Sequence, residues 1–158
     1  MLARKKLSKE EALQKAKHYC DYQHRCHSEV KDKLYSLGVW KNDVEEIIAQ
    51  LIEEKYLDEE RFAVHFARGR FNLKQWGKEK IKYELKQKHV SEYCIKKALG
   101  TIDQQEYENT LQKLAQEKTE SLKKERNIFA RKKKLRDYLI QKGYEFNAVQ
   151  RVVEEESI

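Results

Sequence analysis

The stretch KIKYELKQKHVSEYCIKKAL, residues 80–99, decides how the whole chain is read. Take Ile81 as a zero point: the apolar residues Leu85, Val90, Ile95 and Leu99 follow at offsets four, nine, fourteen and eighteen. The same offsets recur in EVKDKLYSLGVWKNDVEEII (29–48), with Val30, Leu34, Val39, Val44 and Ile48, and in KLRDYLIQKGYEFNAVQRVV (134–153), with Leu135, Leu139, Tyr144, Val149 and Val153. Five apolar positions held in register three times describe one repeated unit: a helix, a tight turn and a second helix. Gly38 and Gly143 fall at the turn, where a left-handed residue is wanted and glycine carries no Cβ penalty. His89 stands there in the middle copy, at a cost of order 1 kcal/mol. Ser91 follows where the next helix needs an N-cap.

A further helix precedes each pair. SKEEALQKAKHYC opens with Ser8 and Glu11 in capping-box spacing and sets Leu13, Ala16 and Cys20 on one stripe. DEERFAVHFARGR starts at Asp58 and groups Phe62, Ala63, Phe66 and Ala67; DQQEYENTLQKLAQEK starts at Asp103 and aligns Tyr107, Leu111, Leu114 and, beyond it, Leu122. The chain has no proline and no sustained strand-like alternation. The reading is all-α: an elongated array of three tandem three-helix repeats, spanning 7–55, 56–101 and 102–156.

Composition agrees. Charged residues make up 39% of the 158, against ~25% in an average domain, which favours several small cores over one large one. Lys and Arg outnumber Asp and Glu by 34 to 27, a net charge of +7 that suits a polyanion or an acidic protein surface. No apolar run approaches the ~18 residues of a membrane span. Residues 1–6 are basic but no apolar stretch follows, so a secretory signal is not expected. Three cysteines without a framework spacing suit a reducing, cytoplasmic setting.

The segment HYCDYQHRCH (18–27) holds three of the five His and two of the three Cys. Helical geometry points His18 and Cys20 apart, and Cys20 continues the Leu13–Ala16 stripe. Cys20, His24 and His27 could converge across a turn, but their spacing matches no familiar zinc pattern. The cluster reads as a helix end plus a turn, without metal. No phosphate loop, HExxH or nucleophile elbow is present, and the acidic residues lie among Lys in helix-surface spacing. Neither an enzyme nor a cofactor is expected.

The basic residues carry more. Residues 67–89 hold eight Lys/Arg against two Glu, and 123–136 hold eight against one. The positions three before and one after each zero point are His27 and Lys31, Lys78 and Lys82, Lys132 and Arg136. They lie about 60° and about 100° round from the apolar stripe, on one flank of the helix. This predicts a repeated basic ridge. Lys86 continues the row after Lys78 and Lys82, and Arg68, Arg70 and Lys74, with Trp76 among them, extend it. A solvated surface is the plain alternative for any charge run; the repeated register favours a binding face.

Residues 56–99 resemble the central module of the RecX family, regulators of the bacterial RecA recombinase. The similarity rests on Tyr56, Leu57, Asp58, Arg61, Phe62, Ala63, Gly77, Ile81, Glu84 and Leu85. Lys78 stands where the family carries Pro, and His89 where it carries Gly. The outer repeats match more weakly, through HRCHSEVKDKLYSLGV and KKLRDYLIQKGYEFNAV. The resemblance implies a monomeric non-enzyme lying along the groove of the RecA–DNA filament, restraining ATP hydrolysis, strand exchange and filament extension. The ATP would be the partner's, and the basic ridge would face RecA, DNA phosphate, or both. The competing reading is a free-standing helical nucleic-acid-binding protein; a scaffold linking two proteins is a third.

Overall fold

Nine helices and no strand make up the described residues, 7–156 of the computed structural model: α1 (Lys9–Tyr22), α2 (His27–Ser36), α3 (Lys41–Glu53), α4 (Glu59–Lys74), α5 (Lys78–Gln87), α6 (Glu92–Gly100), α7 (Gln104–Ser121), α8 (Ile128–Lys142) and α9 (Phe146–Glu155). The basic residues 1–6, read above as no secretory signal, lie outside that range. None of the described helices is long and apolar enough to cross a membrane.

The expected caps are present. Ser8 Oγ accepts from the Glu11 N–H at 3.1 Å, Asp58 Oδ1 from Arg61 at 3.0 Å, Ser91 Oγ from Cys94 at 3.3 Å and Asp103 Oδ2 from Glu106 at 3.0 Å. Each takes up one of the donors that a helix start leaves unbonded. Asn127 does the same for α8, accepting from Ala130 at 3.1 Å.

The repeated register has a backbone cause. Gly38, His89 and Gly143 are all left-handed, with φ of 81°, 60° and 103°. Each turn makes the same two bonds. Gly38 N–H donates to Tyr35 O (2.9 Å) and Val39 N–H to Leu34 O (3.1 Å); His89 and Val90 donate to Lys86 and Leu85 (3.0 and 3.1 Å); Gly143 and Tyr144 donate to Ile140 and Leu139 (2.9 and 3.2 Å). This is the Schellman arrangement, in which the residue after the left-handed one bonds back to the last turn and packs on the same residue. Offsets four and nine are therefore the two apolar ends of one hydrogen bond. Of the fifteen register positions, thirteen are buried, while Val39 and Leu99 are half-buried at the edge. Leu122, expected on the α7 stripe, lies past the end of that helix as its half-buried C-cap.

The chain forms two compact units. The first runs to His65 and takes in Leu85–Lys97; the second comprises Phe66–Glu84 and the chain from Ala98 onward. In the first, α1, α2 and α3 pack on one another around a core that includes Leu13, Ala16, Val30, Leu34, Val44, Ile47 and Leu51, with Tyr19, Cys20, Val39 and Tyr56 at its margin. In the second, α7, α8 and α9 pack together, and Tyr107, Leu111, Leu135, Leu139, Tyr144, Val149 and Val153 are buried.

Candidate cationic interface

Helix α4 ends in a tight turn that does not rely on glycine: Gln75 takes φ 58°, and its carbonyl accepts from the Tyr144 hydroxyl at 2.9 Å. Two residues on, Gly77 is pressed against Gly143, so that a Cβ on Gly77 would stand 2.3 Å from the Gly143 carbonyl carbon and oxygen. The start of α5 is thereby met by the end of α8. Gly77 N–H donates to Lys142 O (2.8 Å) and Glu79 N–H to Gly143 O (2.9 Å). Between them, Lys78 N–H donates to the Tyr107 hydroxyl at 2.9 Å. That hydroxyl in turn donates to Glu145 Oε1 at 2.5 Å. A positive helix start faces a negative helix end, so both sets of orphan groups are satisfied together. Burial pushes the Tyr107 and Tyr144 hydroxyls well above the ordinary tyrosine range, and the bond to Glu145 raises Tyr107 further.

This joint fixes the surroundings of Trp76, a half-buried ring with three cations around it. Lys80 Nζ lies 4.5 Å from its centroid, the Arg70 guanidinium 5.5 Å and Lys74 Nζ 5.6 Å. Contacts of this kind are worth roughly 0.5–1 kcal/mol each where exposed. Arg70 also covers Phe66 at 4.5 Å, and its Nε is buried without a hydrogen-bond partner among the described residues. Lys142 Nζ reaches the Lys74 carbonyl at 3.2 Å. Arg70, Lys74 and Trp76, all named from the sequence, are thus brought together. Lys80 and Lys142 belong with them and were not singled out. Lys80 had a signal, being four residues after Trp76; Lys142 had none, since only the Gly77–Gly143 approach brings it there.

The six register positions read as a ridge divide into two kinds. At three before the zero point, His27 pairs with Glu59 at 3.7 Å, Lys78 lies over the Tyr107 ring at 4.7 Å and donates to Gln104 Oε1 at 3.4 Å, and Lys132 pairs with Glu154 at 3.8 Å. These three tether their helix to another. At one after it, Lys31 and Lys82 have no side-chain partner among the described residues, whereas Arg136 Nε donates to Gln150 Oε1 at 2.7 Å. Arg68 and Lys86 are exposed. Of the second-unit cations named from the sequence, Arg68 and Lys82 are the ones without a side-chain partner among the described residues, and they flank the Trp76 group in sequence.

The His/Cys segment disperses. His24 stacks on His65 with centroids 4.3 Å apart, and burial, with His65 and Arg61 nearby, lowers its pKa. His27 turns to Glu59, as above. Burial pushes the Cys20 thiol up to about 11. Cys26 is fully buried at the start of α2, where its N–H donates to Glu29 Oε1 at 3.1 Å, and Ser28 Oγ donates to Lys88 O at 2.6 Å. No three His, Cys, Asp or Glu side chains among the described residues converge as metal ligands would.

Residues 58–99 match the family model of the second three-helix domain of RecX, and residues 105–153 that of the third. Regulatory protein RecX of Clostridium tetani is 34% identical over 136 residues, 85% of this chain and 62% of that protein. Its counterpart in Bacillus cytotoxicus is 30% identical over 137 residues, 87% of this chain and 50% of that protein. The chain thus spans between half and two thirds of the length of these curated relatives. The crystal structure of RecX from Lactobacillus salivarius superposes with a TM-score of 0.84 at 23% identity, covering 93% of this chain and 95% of that one. A second crystal structure of a regulatory protein RecX gives 0.80 at 22% identity, covering 99% and 82%.

Proposed function

From membership of the RecX family, to which this chain belongs, we propose that the protein regulates the RecA recombinase by docking along the RecA–DNA filament. The family is one of regulatory proteins and not of enzymes. The observation that carries the reading is the group of cations gathered on Trp76, inside the stretch that matches the second three-helix domain. Docked there, the protein restrains ATP hydrolysis, strand exchange and filament extension. The nucleotide is the filament's, and this chain needs no cofactor. It acts as a cytoplasmic monomer whose modules, 7–55, 56–101 and 102–156, engage successively, each later contact being intramolecular. The basic side chains meet acidic RecA surface, with DNA phosphate as a second partner.

The test is RecA's ATPase on single-stranded DNA, titrated with this protein. Inhibition at substoichiometric protein is expected. No inhibition at equimolar, folded protein overturns the proposal. The second reading, a free-standing nucleic-acid binder, draws on the Lys80, Arg70 and Lys74 cations around the half-buried Trp76 ring. Tight binding to bare duplex with a steep salt slope, unaccompanied by any effect on RecA, is what it requires.

A further inference from the structure

Among the described residues, four ion pairs lie within the first unit. Lys17 pairs with Glu54 at 3.2 Å, Lys88 with Glu29 at 3.7 Å, His27 with Glu59 at 3.7 Å, and Lys9 with Glu46. Other cations of this unit stand apart from that network, and three of them are gathered in one place. Lys15, Arg25 and Lys33 make no ion pair among the described residues, and all three line one groove between α1 and α2. Tyr19, Tyr22 and Leu37 supply its apolar wall, and no carboxylate lines it.

Arg25 is held in place. Its guanidinium lies 3.7 Å from the Tyr19 ring centroid, and its Nε donates to the Tyr19 carbonyl at 3.1 Å. That leaves the terminal nitrogens as a fixed fork, which matches a carboxylate through two parallel hydrogen bonds. Lys33 Nζ stands 5.6 Å from the same ring. Tyr22, 79% exposed, offers an apolar edge beside them.

We propose that this groove docks an acidic peptide segment of a partner protein, its carboxylates on Arg25, Lys33 and Lys15 and one aromatic or aliphatic side chain against Tyr22 and Leu37. Charge complementarity sets the sign of the occupant. The apolar wall favours a peptide over a phosphodiester chain, which would leave it unused. A single-stranded nucleic acid needs successive free aromatic faces along a tracked backbone, and here Arg25 already covers Tyr19. The groove lies ahead of residue 58, where the match to the family's second three-helix domain starts, and shares no residue with the Trp76 group.

The probe is a fluorescein-labelled peptide in which Asp and Glu flank one central Phe, read by fluorescence anisotropy against the full chain. Saturable binding is expected, weakened about tenfold or more by Arg25→Gln with Lys33→Gln, since each removes a charge-assisted contact. Lys41→Gln with Lys96→Gln removes the same charge from exposed sites outside the groove and should leave binding unchanged. Because Arg25 packs on Tyr19, circular dichroism accompanies the first pair. Lys15→Gln, an exposed change, should weaken binding in the same direction on a folded chain. In the wild-type chain, amide shifts on titration should map to α1 and α2. No binding, equal loss from both pairs, or shifts centred on Trp76 each overturn the proposal. So does an oligothymidine probe that takes the groove, with sensitivity to Arg25 and Lys33, in place of the peptide.

Discussion

Gly143 answers to two constraints and Gly38 to one. Both are left-handed, but a Cβ on Gly38 would meet nothing within 4 Å, whereas on Gly143 it would fall 2.2 Å from Lys80 Cβ and 2.8 Å from Lys80 N. Gly38→Ala should therefore cost only the backbone penalty, about 1 kcal/mol. Gly143→Ala must also push the backbones of α5 and α8 away from each other, and should cost about 3 kcal/mol or more. Urea denaturation of the two variants decides it; equal losses would mean that the approach to α5 is loose. His89 shows the same logic from the other side. It holds φ 60° at the equivalent turn, where histidine is one of the side chains better tolerated. The middle repeat can dispense with glycine because its turn carries the single constraint that Gly38 carries, not the double one.

At the scale of elements, the joint between α5 and α8 hangs on Tyr107. Its hydroxyl accepts from Lys78 N–H and donates to Glu145, so Tyr107→Phe strands a donor and an acceptor in a half-closed site. A loss of about 1–3 kcal/mol is expected at neutral pH. The pH dependence has a definite sign. Burial holds the folded pKa of Tyr107 and Tyr144 above the unfolded value of about 10. Their contribution is whole below about pH 10, and falls as pH rises beyond it, where the unfolded chain releases protons that the folded chain keeps. Tyr107→Phe should flatten that alkaline loss, and denaturation on either side of pH 10 measures it. The helices themselves were legible. Ser8, Asp58, Ser91 and Asp103 announce their caps locally, and the register follows from one repeated turn. The turns at Lys55 and Gln75 were not, because both are left-handed without glycine. The surroundings of the register cations were half legible. Spacing places Lys78 on a flank, but only the fold brings Gln104 and Tyr107 to it, across a sequence distance that no local pattern spans. The same holds for Lys142 beside Lys74.

For the molecule as a whole, the question is whether charge acts by position or in sum. Lys78 is a poor probe, since reversing it also disturbs its packing on Tyr107. Arg68 and Lys82 have no side-chain partner among the described residues, so Arg68→Glu with Lys82→Glu should shift stability by no more than about 0.5 kcal/mol per site. The pair should nonetheless abolish most inhibition of RecA, because a reversed charge repels where the original attracted. Lys96→Glu with Lys113→Glu, which changes net charge equally, should leave most of it. Equal loss in the ATPase assay from both pairs would make net charge the cause, and no loss from either would make these cations ordinary solvated surface.

Repeats are commonly treated as interchangeable modules, to be excised, duplicated or reordered. The meeting of α5 with α8 forbids that here. The N–H groups of Gly77, Lys78 and Glu79 are spoken for by Lys142, Tyr107 and Gly143, all supplied by the last three helices. A chain cut before α7 would hand those donors back to solvent, and the same N–H groups of a second middle repeat would find their acceptors already claimed. The succession of the last two repeats is thus written as an address in hydrogen bonds, legible only when both are present and in this order.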